Sequence, residues 1–519
     1  MKILYLALLA AVLAVGAFFR LHQLDKRPLH GDEANQAVKT GILYDKGTYV
    51  YDPHEHHGPT LYYMAQPFLK LSGAASFKDT QITAYRLVPA LCGILLVALT
   101  MAYGLGLGAW AGFWAALLLA VSHGMAYYSR YYIQEMSLIL FTWSAVFAGW
   151  RFIRCPGYGW ALLFGLFAGL MHATKETSLP IFMAMGGALA LVWAWECLER
   201  RETPRRAELR ALPWKPLLAA AALAAAVSVT FFSSFFTHAR GPLDSVLTYA
   251  TYLKRAEGTG STGIHDHPWY YYLSLLSWHW KMAGPKWTEA PVLALALFGA
   301  VTALWPKRTP DEDKRLVRFL LFFTLAMTVG FSLIPYKSPW NMLVFYQGML
   351  LLAGCGAAAL VRMARWKPLQ APMTALLLAG AAFLANQSWL GNFKYAADVR
   401  NPYVYAHTST AALRMVDRVH QIAAVHPDGN RMIVRIIRPG GDYWPLPWYF
   451  RDLERVGYHV GFPATPDAAV IISGPELNQL LKEHLKDDYF VESCALRPGI
   501  SLQVRIRRDL WEKFMAERG

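Results

Sequence analysis

Charge is what this sequence has least of. Only 16% of its 519 residues are Asp, Glu, Lys or Arg, against 55% hydrophobic and 14% aromatic. A soluble domain carries about a quarter charged residues, and with a mean hydropathy of +0.25 an ordinary soluble protein is excluded. Cysteine is scarce too. The five, Cys92, Cys155, Cys197, Cys355 and Cys494, lie in separate segments with no CxxC pair, so neither a disulfide framework nor a cysteine zinc site is indicated. Internal repeats and low-complexity tracts are absent. Acidic residues are outnumbered 35 to 50, leaving a net charge of +15. Nucleic acid is not the expected partner, because Lys and Arg cluster in links between apolar segments, as cytoplasmic loops do.

Long apolar runs are abundant. They recur at 3–21, 82–103, 109–126, 136–153, 160–174, 178–196, 216–236, 290–305, 316–335, 341–361 and 370–388, which predicts about eleven membrane-crossing helices. The first run is long for a signal peptide and reads as an uncleaved helix. With the N-terminus in the cytoplasm, the basic links 151–159, 197–215, 306–315 and 362–368 all fall inside, as the positive-inside rule requires. Loops 22–81 and 237–289, the turns near 127–135, 172–177 and 336–340, and everything after about residue 390 then fall outside. The tail alternates β-rich runs (431–439, 468–474, 501–509) with helix-like stretches (410–425, 475–485), the pattern of a small α/β domain. The expectation is a mainly α, polytopic membrane helix bundle over 1–390 and an extracytoplasmic α/β domain over 391–519, in a multi-pass cell-membrane protein.

Acids and bases gather at the predicted outer face. "HGDEA" (30–34) puts Asp32 and Glu33 just beyond the first run. They suit a helix start, and equally a general base for a hydroxyl arriving from outside. "DPHEHHGPTLYY" (52–63) offers His54, Glu55, His56 and His57; imidazole and carboxylate are ligands for a divalent cation, here at no recognised metal spacing, and a solvated histidine-rich loop fits as well. Three tight turns add Arg130 and Glu135, then His172, Lys175 and Glu176, then Tyr336, Lys337 and Asn341. Tyrosine belts and basic helix anchors are the plain account. Yet short outer turns should be poor in Lys and Arg, and an anionic ligand would explain Arg130, Lys175 and Lys337 together. The segment 253–273 runs from a Gly- and Thr-rich stretch, suited to a lid over 254–264 or to a plain connector, into His265, Asp266 and His267.

The Asp-Glu pair, "GPTLYY", "SRYYIQE", "TKET" and "HPWYYYL" together resemble the GT-C clan of membrane glycosyltransferases. Within it the likeness is to the dolichyl-phosphate-mannose protein mannosyltransferase and lipid A aminoarabinose transferase superfamily. "HGDEA", "HEHHGPTLYY" and "DYWPLPWYFRD" (442–452) look closer to its flippase-activity-associated prokaryotic branch. The resemblance covers the membrane half and reaches the tail only through that last motif. It implies a polyprenyl-phosphate sugar donor, an extracytoplasmic acceptor, Asp32 as base supported by Glu33, and Arg130, Lys175 and Lys337 at the lipid-linked phosphate. His56, His57, Glu135, Glu176, His265, His267 and Tyr336 would line substrate or loops, and His54, Glu55 and His56 are the candidate ligands of a divalent metal cation. One departure stands out. His56-His57-Gly58-Pro59 replaces the acidic residue and Lys that aminoarabinose transferases carry before Pro-Pro-Leu, which puts metal ligation and leaving-group contacts in doubt.

The expected chemistry is inverting sugar transfer from a donor embedded among membrane lipids, to a protein, lipid-linked glycan or surface polymer. A non-catalytic scaffold or flippase-associated component of a surface-glycan machine is the alternative. A transporter would place its ionisable groups near the bilayer midplane, unlike this chain.

Overall fold

The computed structural model describes residues 2–54, 57–200, 213–256, 265–304, 313–364 and 366–518. All eleven apolar runs are helical. Eight of the helices among the described residues are long and apolar enough to cross a membrane. The other three, Ala109–Val121, Tyr158–His172 and Ala290–Leu304, are shorter; at about 1.5 Å per residue each falls short of the ~30 Å hydrocarbon core. The predicted run 109–126 is in fact two helices. Ser122 turns extended (φ −59°, ψ 126°) and caps a second helix, His123–Tyr128, by accepting the Met125 N–H. Its hydroxyl also donates to Glu289 (2.8 Å).

The bundle is built around the helix Leu343–Met363, in which every residue from Leu343 to Ala359 is buried. A helix apolar on all sides has no solvent face to present, so it takes the centre. Glycines let its neighbours approach. A Cβ on Gly356 would lie 2.1 Å from the Leu295 carbonyl oxygen, and one on Gly299 2.0 Å from that of Leu352. The crossing with Ala290–Leu304 is therefore a small-residue contact of the kind that substitutes for hydrophobic drive within lipid.

The tail forms a five-stranded sheet in the order β2-β1-β3-β5-β4. The strands are β1 Ile433–Ile437, β2 Arg455–His459, β3 Val470–Ser473, β4 Tyr489–Arg497 and β5 Ile500–Arg507. β1 pairs parallel with β2 and β3, while β5 runs antiparallel to both β3 and β4. β3 is buried along its whole length, which fits its unbroken Val-Ile-Ile run. Helix Thr410–Val425 supplies Ala412, Met415, Val416, Val419 and Ile422 to the core beneath the sheet, a helical spacing.

Gly356→Leu should disrupt the central crossing. The expected outcome is a loss of about 1–3 kcal/mol or more from overpacking, seen as a lower thermal midpoint in detergent; an unchanged midpoint would refute the close crossing.

Candidate active site

The site is built from the first loop upward. His30 is the N-cap of the helix Gly31–Lys46, and its Nδ1 accepts the Asp32 N–H (3.0 Å). Burial pushes the His30 imidazole below its usual pKa, against the pull of Asp32 and Glu33, which suits a neutral ring accepting at Nδ1. Asp32 and Glu33, adjacent on this first turn, point in different directions, since successive helical residues are about 100° apart. The Asp32 side chain is 52% exposed. Glu33 is fully buried.

Glu33 is the hub of the loop. Arg86 donates to its two oxygens from Nε (2.8 Å) and NH2 (2.9 Å), Arg27 from NH2 (3.3 Å), and the backbone N–H groups of Tyr132 (3.0 Å) and His30 (3.3 Å) complete the shell. Burial alone would raise the pKa of this carboxyl. Arg86 and Arg27 outweigh it and hold the group down at about 2. Arg86 also donates to the carbonyls of Leu24 (2.6 Å) and Arg27 (3.1 Å), so one ion cluster ties the first loop to the helix Ile82–Ala102 and to the 127–135 turn.

Around the exposed Asp32 stands an aromatic wall. His30 lies 5.4 Å from Tyr131, 6.0 Å from Trp340 and 5.1 Å from His407, ring to ring. Trp340 in turn meets Tyr405 at 5.7 Å, whose hydroxyl bonds His265 Nδ1. Asp32 is close enough to Tyr131, His265 and Tyr405 to act on all three electrostatically. Segments 265–267 and 335–337 are joined by the Asp266–Tyr336 bridge and by the bonds Lys337 N–H to His265 O (2.9 Å) and His267 N–H to Pro335 O (3.2 Å). The Lys337 backbone is thereby bonded to that of His265. His267 stacks on Tyr271 at 4.0 Å.

The three cations expected at the outer face have different surroundings. Arg130 caps the C-terminus of Lys2–Leu21, donating to the carbonyls of Phe19 (3.3 Å), His22 and Gln23 (2.8 Å). A cation there complements the helix dipole, so its position has an internal reason. Lys175 is paired with Glu135, and that pairing raises its pKa against burial. Glu176 is met by His57 Nδ1 (2.8 Å), which also contacts the Tyr252 hydroxyl (3.0 Å). Lys337 is 1% exposed and is held by the carbonyls of His267 (3.0 Å) and Ile334. Among the described residues Lys337 has no ion pair, and burial lowers its pKa with Asp266 opposing.

Glu55 and His56 lie outside the described residues, as does most of the lid segment 254–264. His54 is described. Among the described residues no three metal-ligating side chains converge, and His57 faces Glu176.

Several participants escaped the sequence. Arg86 carried a signal, an arginine in the first turn of an otherwise apolar span. Arg27, His30, Tyr405 and His407 carried none. Neither did the tail's contact with the first loop. The Leu29 N–H donates to the Tyr449 hydroxyl (2.9 Å), Arg451 donates to the Thr80 carbonyl (2.6 Å), and Trp448 packs edge-on against Tyr85 at 5.2 Å. The motif 442–452 thus seats the tail on the loop that holds Asp32, and Arg497 from β4 is near enough for its charge to be felt at His30.

Residues 10–242 match the family Dolichyl-phosphate-mannose-protein mannosyltransferase, a little under half of the chain. Over that stretch the chain is similar to this family of membrane glycosyltransferases. Over 98% of each chain it shares its fold with ArnT from Cupriavidus metallidurans bound to undecaprenyl phosphate, at 16% identity and a TM-score of 0.62. The arabinofuranosyltransferase AftD from Mycobacteria is similar over 98% of this chain and 40% of its own, at 12% identity and a TM-score of 0.51. Protein O-mannosyltransferase 1 of Drosophila pseudoobscura pseudoobscura is 30% identical over 188 residues, 34% of this chain and 20% of that protein. The chain thus matches about a fifth of that curated relative's length.

Glu33→Gln should leave two buried guanidiniums uncompensated and destabilise the fold by about 3–5 kcal/mol, measured as thermal unfolding in detergent. Because the folded pKa of Glu33 is depressed to about 2 from 4.5, its stabilisation is present above the unfolded pKa. It is lost as pH falls from about 4.5 to 2, on the order of 3 kcal/mol in total; a flat acid limb in that window would contradict the assignment.

Proposed function

We infer that the protein transfers a sugar from a polyprenyl-phosphate donor to an extracytoplasmic acceptor hydroxyl with inversion. The observation that carries this reading is the half-exposed Asp32 carboxylate, fixed on a helix start and close to His265, whose backbone is bonded to that of the buried Lys337. Asp32 takes the proton as the acceptor oxygen bonds to the anomeric carbon from the face opposite the phosphate. The bond from that carbon to the phosphate oxygen breaks, and its electron pair leaves with the phosphate. Lys337, incompletely compensated and desolvated, stabilises that charge as it develops. Charge stabilisation is strongest where water is excluded, and Lys337 has almost no exposure. Glu33, Arg86 and Arg27 hold the base in place without touching substrate. Lys175 and Arg130 act one step removed, the first through Glu135 and the second by fixing the end of the first helix.

The donor class draws support from the fold shared with ArnT, whose structure holds undecaprenyl phosphate, and from the mannosyltransferase family match. On this reading the N-terminus is cytoplasmic and the tail is outside. A phosphatase reporter fused after the tail should be active in whole cells, and one fused at residue 212 inactive. The reverse pattern would overturn the orientation.

Transfer of labelled sugar from polyprenyl-phosphate donors in membranes tests the chemistry. Asp32→Asn should lower it roughly 10²–10⁴-fold, and Lys337→Gln roughly 10²-fold or more, at equal expression and unchanged melting. Equal transfer by wild type and Asp32→Asn would remove the base. Transfer by neither, with a range of donors and acceptors, would favour the scaffold.

A further inference from the structure

Between the connector that leaves the membrane bundle and the turn joining β4 to β5 lies an open cleft of about 530 Å³. Its walls include Val399, His407, Ser409, Arg497, Ile500 and Ser501. The steps above assign it nothing. Yet its His407 wall is one ring away, at 5.1 Å, from His30, the cap of the helix that carries Asp32.

The geometry points to this cleft as the seat of a sugar unit of the acceptor, with Arg497, its charge compensated by Asp442, as the residue that recognises it. Arg497 NH2 donates to Asp442 Oδ1 (2.6 Å) and NH1 to the Trp444 carbonyl (3.1 Å). A guanidinium has five N–H donors, so others remain to be offered. The Asp442 side chain is 46% exposed and keeps acceptor capacity. This compensated pair discriminates between ligand classes. A phosphate or carboxylate would meet Asp442 as well as Arg497 and gain little. A neutral sugar hydroxyl accepts from Arg497 without meeting that penalty, and donates to or accepts from Ser409 and Ser501 on the same walls. Val399, Pro498 and Ile500 supply apolar surface for the C–H faces of a pyranose ring. The volume lies within the range of small-ligand pockets and admits roughly one or two such rings. The acceptor on this view is a glycan, held by the tail and presented to the base in the membrane part.

This inference rests on the transferase reading, and binding without donor separates the two. The test uses the full chain in lipid nanodiscs, titrated with neutral oligosaccharides such as maltotriose and chitotriose, and in parallel with inorganic phosphate and a Ser/Thr-rich peptide. A neutral glycan should bind, roughly tenfold or more weaker in Arg497→Gln and Asp442→Asn, and be lost in Ser501→Trp, which fills the cleft from its exposed rim. Should Arg497→Gln misfold, Ser501→Trp decides alone. Binding of the peptide or phosphate instead, or glycan binding equal in wild type and all variants, would overturn the proposal. Variant-sensitive glycan binding without any sugar transfer would uphold the cleft while removing the transferase reading. Transfer abolished by Asp32→Asn, with glycan binding indifferent to the cleft variants, would overturn the cleft alone.

Discussion

The arrangement depends on one buried carboxylate. Glu33 has no exposure to solvent, and a charge so placed persists only when every lone pair is engaged. Arg86, Arg27 and two backbone N–H groups engage them, and these come from a membrane helix, the first loop and the 127–135 turn. Three segments far apart in sequence are therefore locked at one point. The lock also decides where the neighbouring residue goes. With Glu33 committed inward, Asp32 on the same turn is directed out, so the exposed carboxylate is aimed by the residue beside it.

The second constraint is electrostatic neutrality at the end of the bundle where the loops 22–81 and 237–289 lie. A predicted surplus of cations there is largely resolved within the protein, by a helix end for Arg130 and a carboxylate for Lys175. Lys337 differs because carbonyl dipoles hold it and, among the described residues, no ion pair does. Dipoles orient an ammonium without cancelling its charge, which leaves a field for an anion to complete.

Much of this was legible before any coordinates. Apolar run length gave the helices, because a segment that crosses lipid must satisfy its backbone internally. Alternating patterns gave β1, β3 and β5 and the helix Thr410–Val425, all within a few residues. What the pattern missed was local or distant. The break at Ser122 depends on a hydroxyl shared with Glu289, and hydropathy does not register a cap inside an apolar run. β2 and the outer strand β4 are only partly buried, so their alternation is weak. In the site, Asp32 was visible because acids after a first span are unusual, whereas the anchoring of its neighbour Glu33 by Arg86 and its own proximity to Tyr405 arise only once the chain is folded.

The seat of the tail has a consequence for how the protein is made. Tyr449 reaches back 420 positions to Leu29, so the tail closes over a loop that is synthesised long before it. Closing so long a loop is entropically slow to accumulate and rewarded only at the end. Until then the loop bearing Asp32 stands open on an incomplete bundle. A truncated or misthreaded chain would keep its acid but lack its roof, and the completed architecture thereby serves as its own proof of assembly.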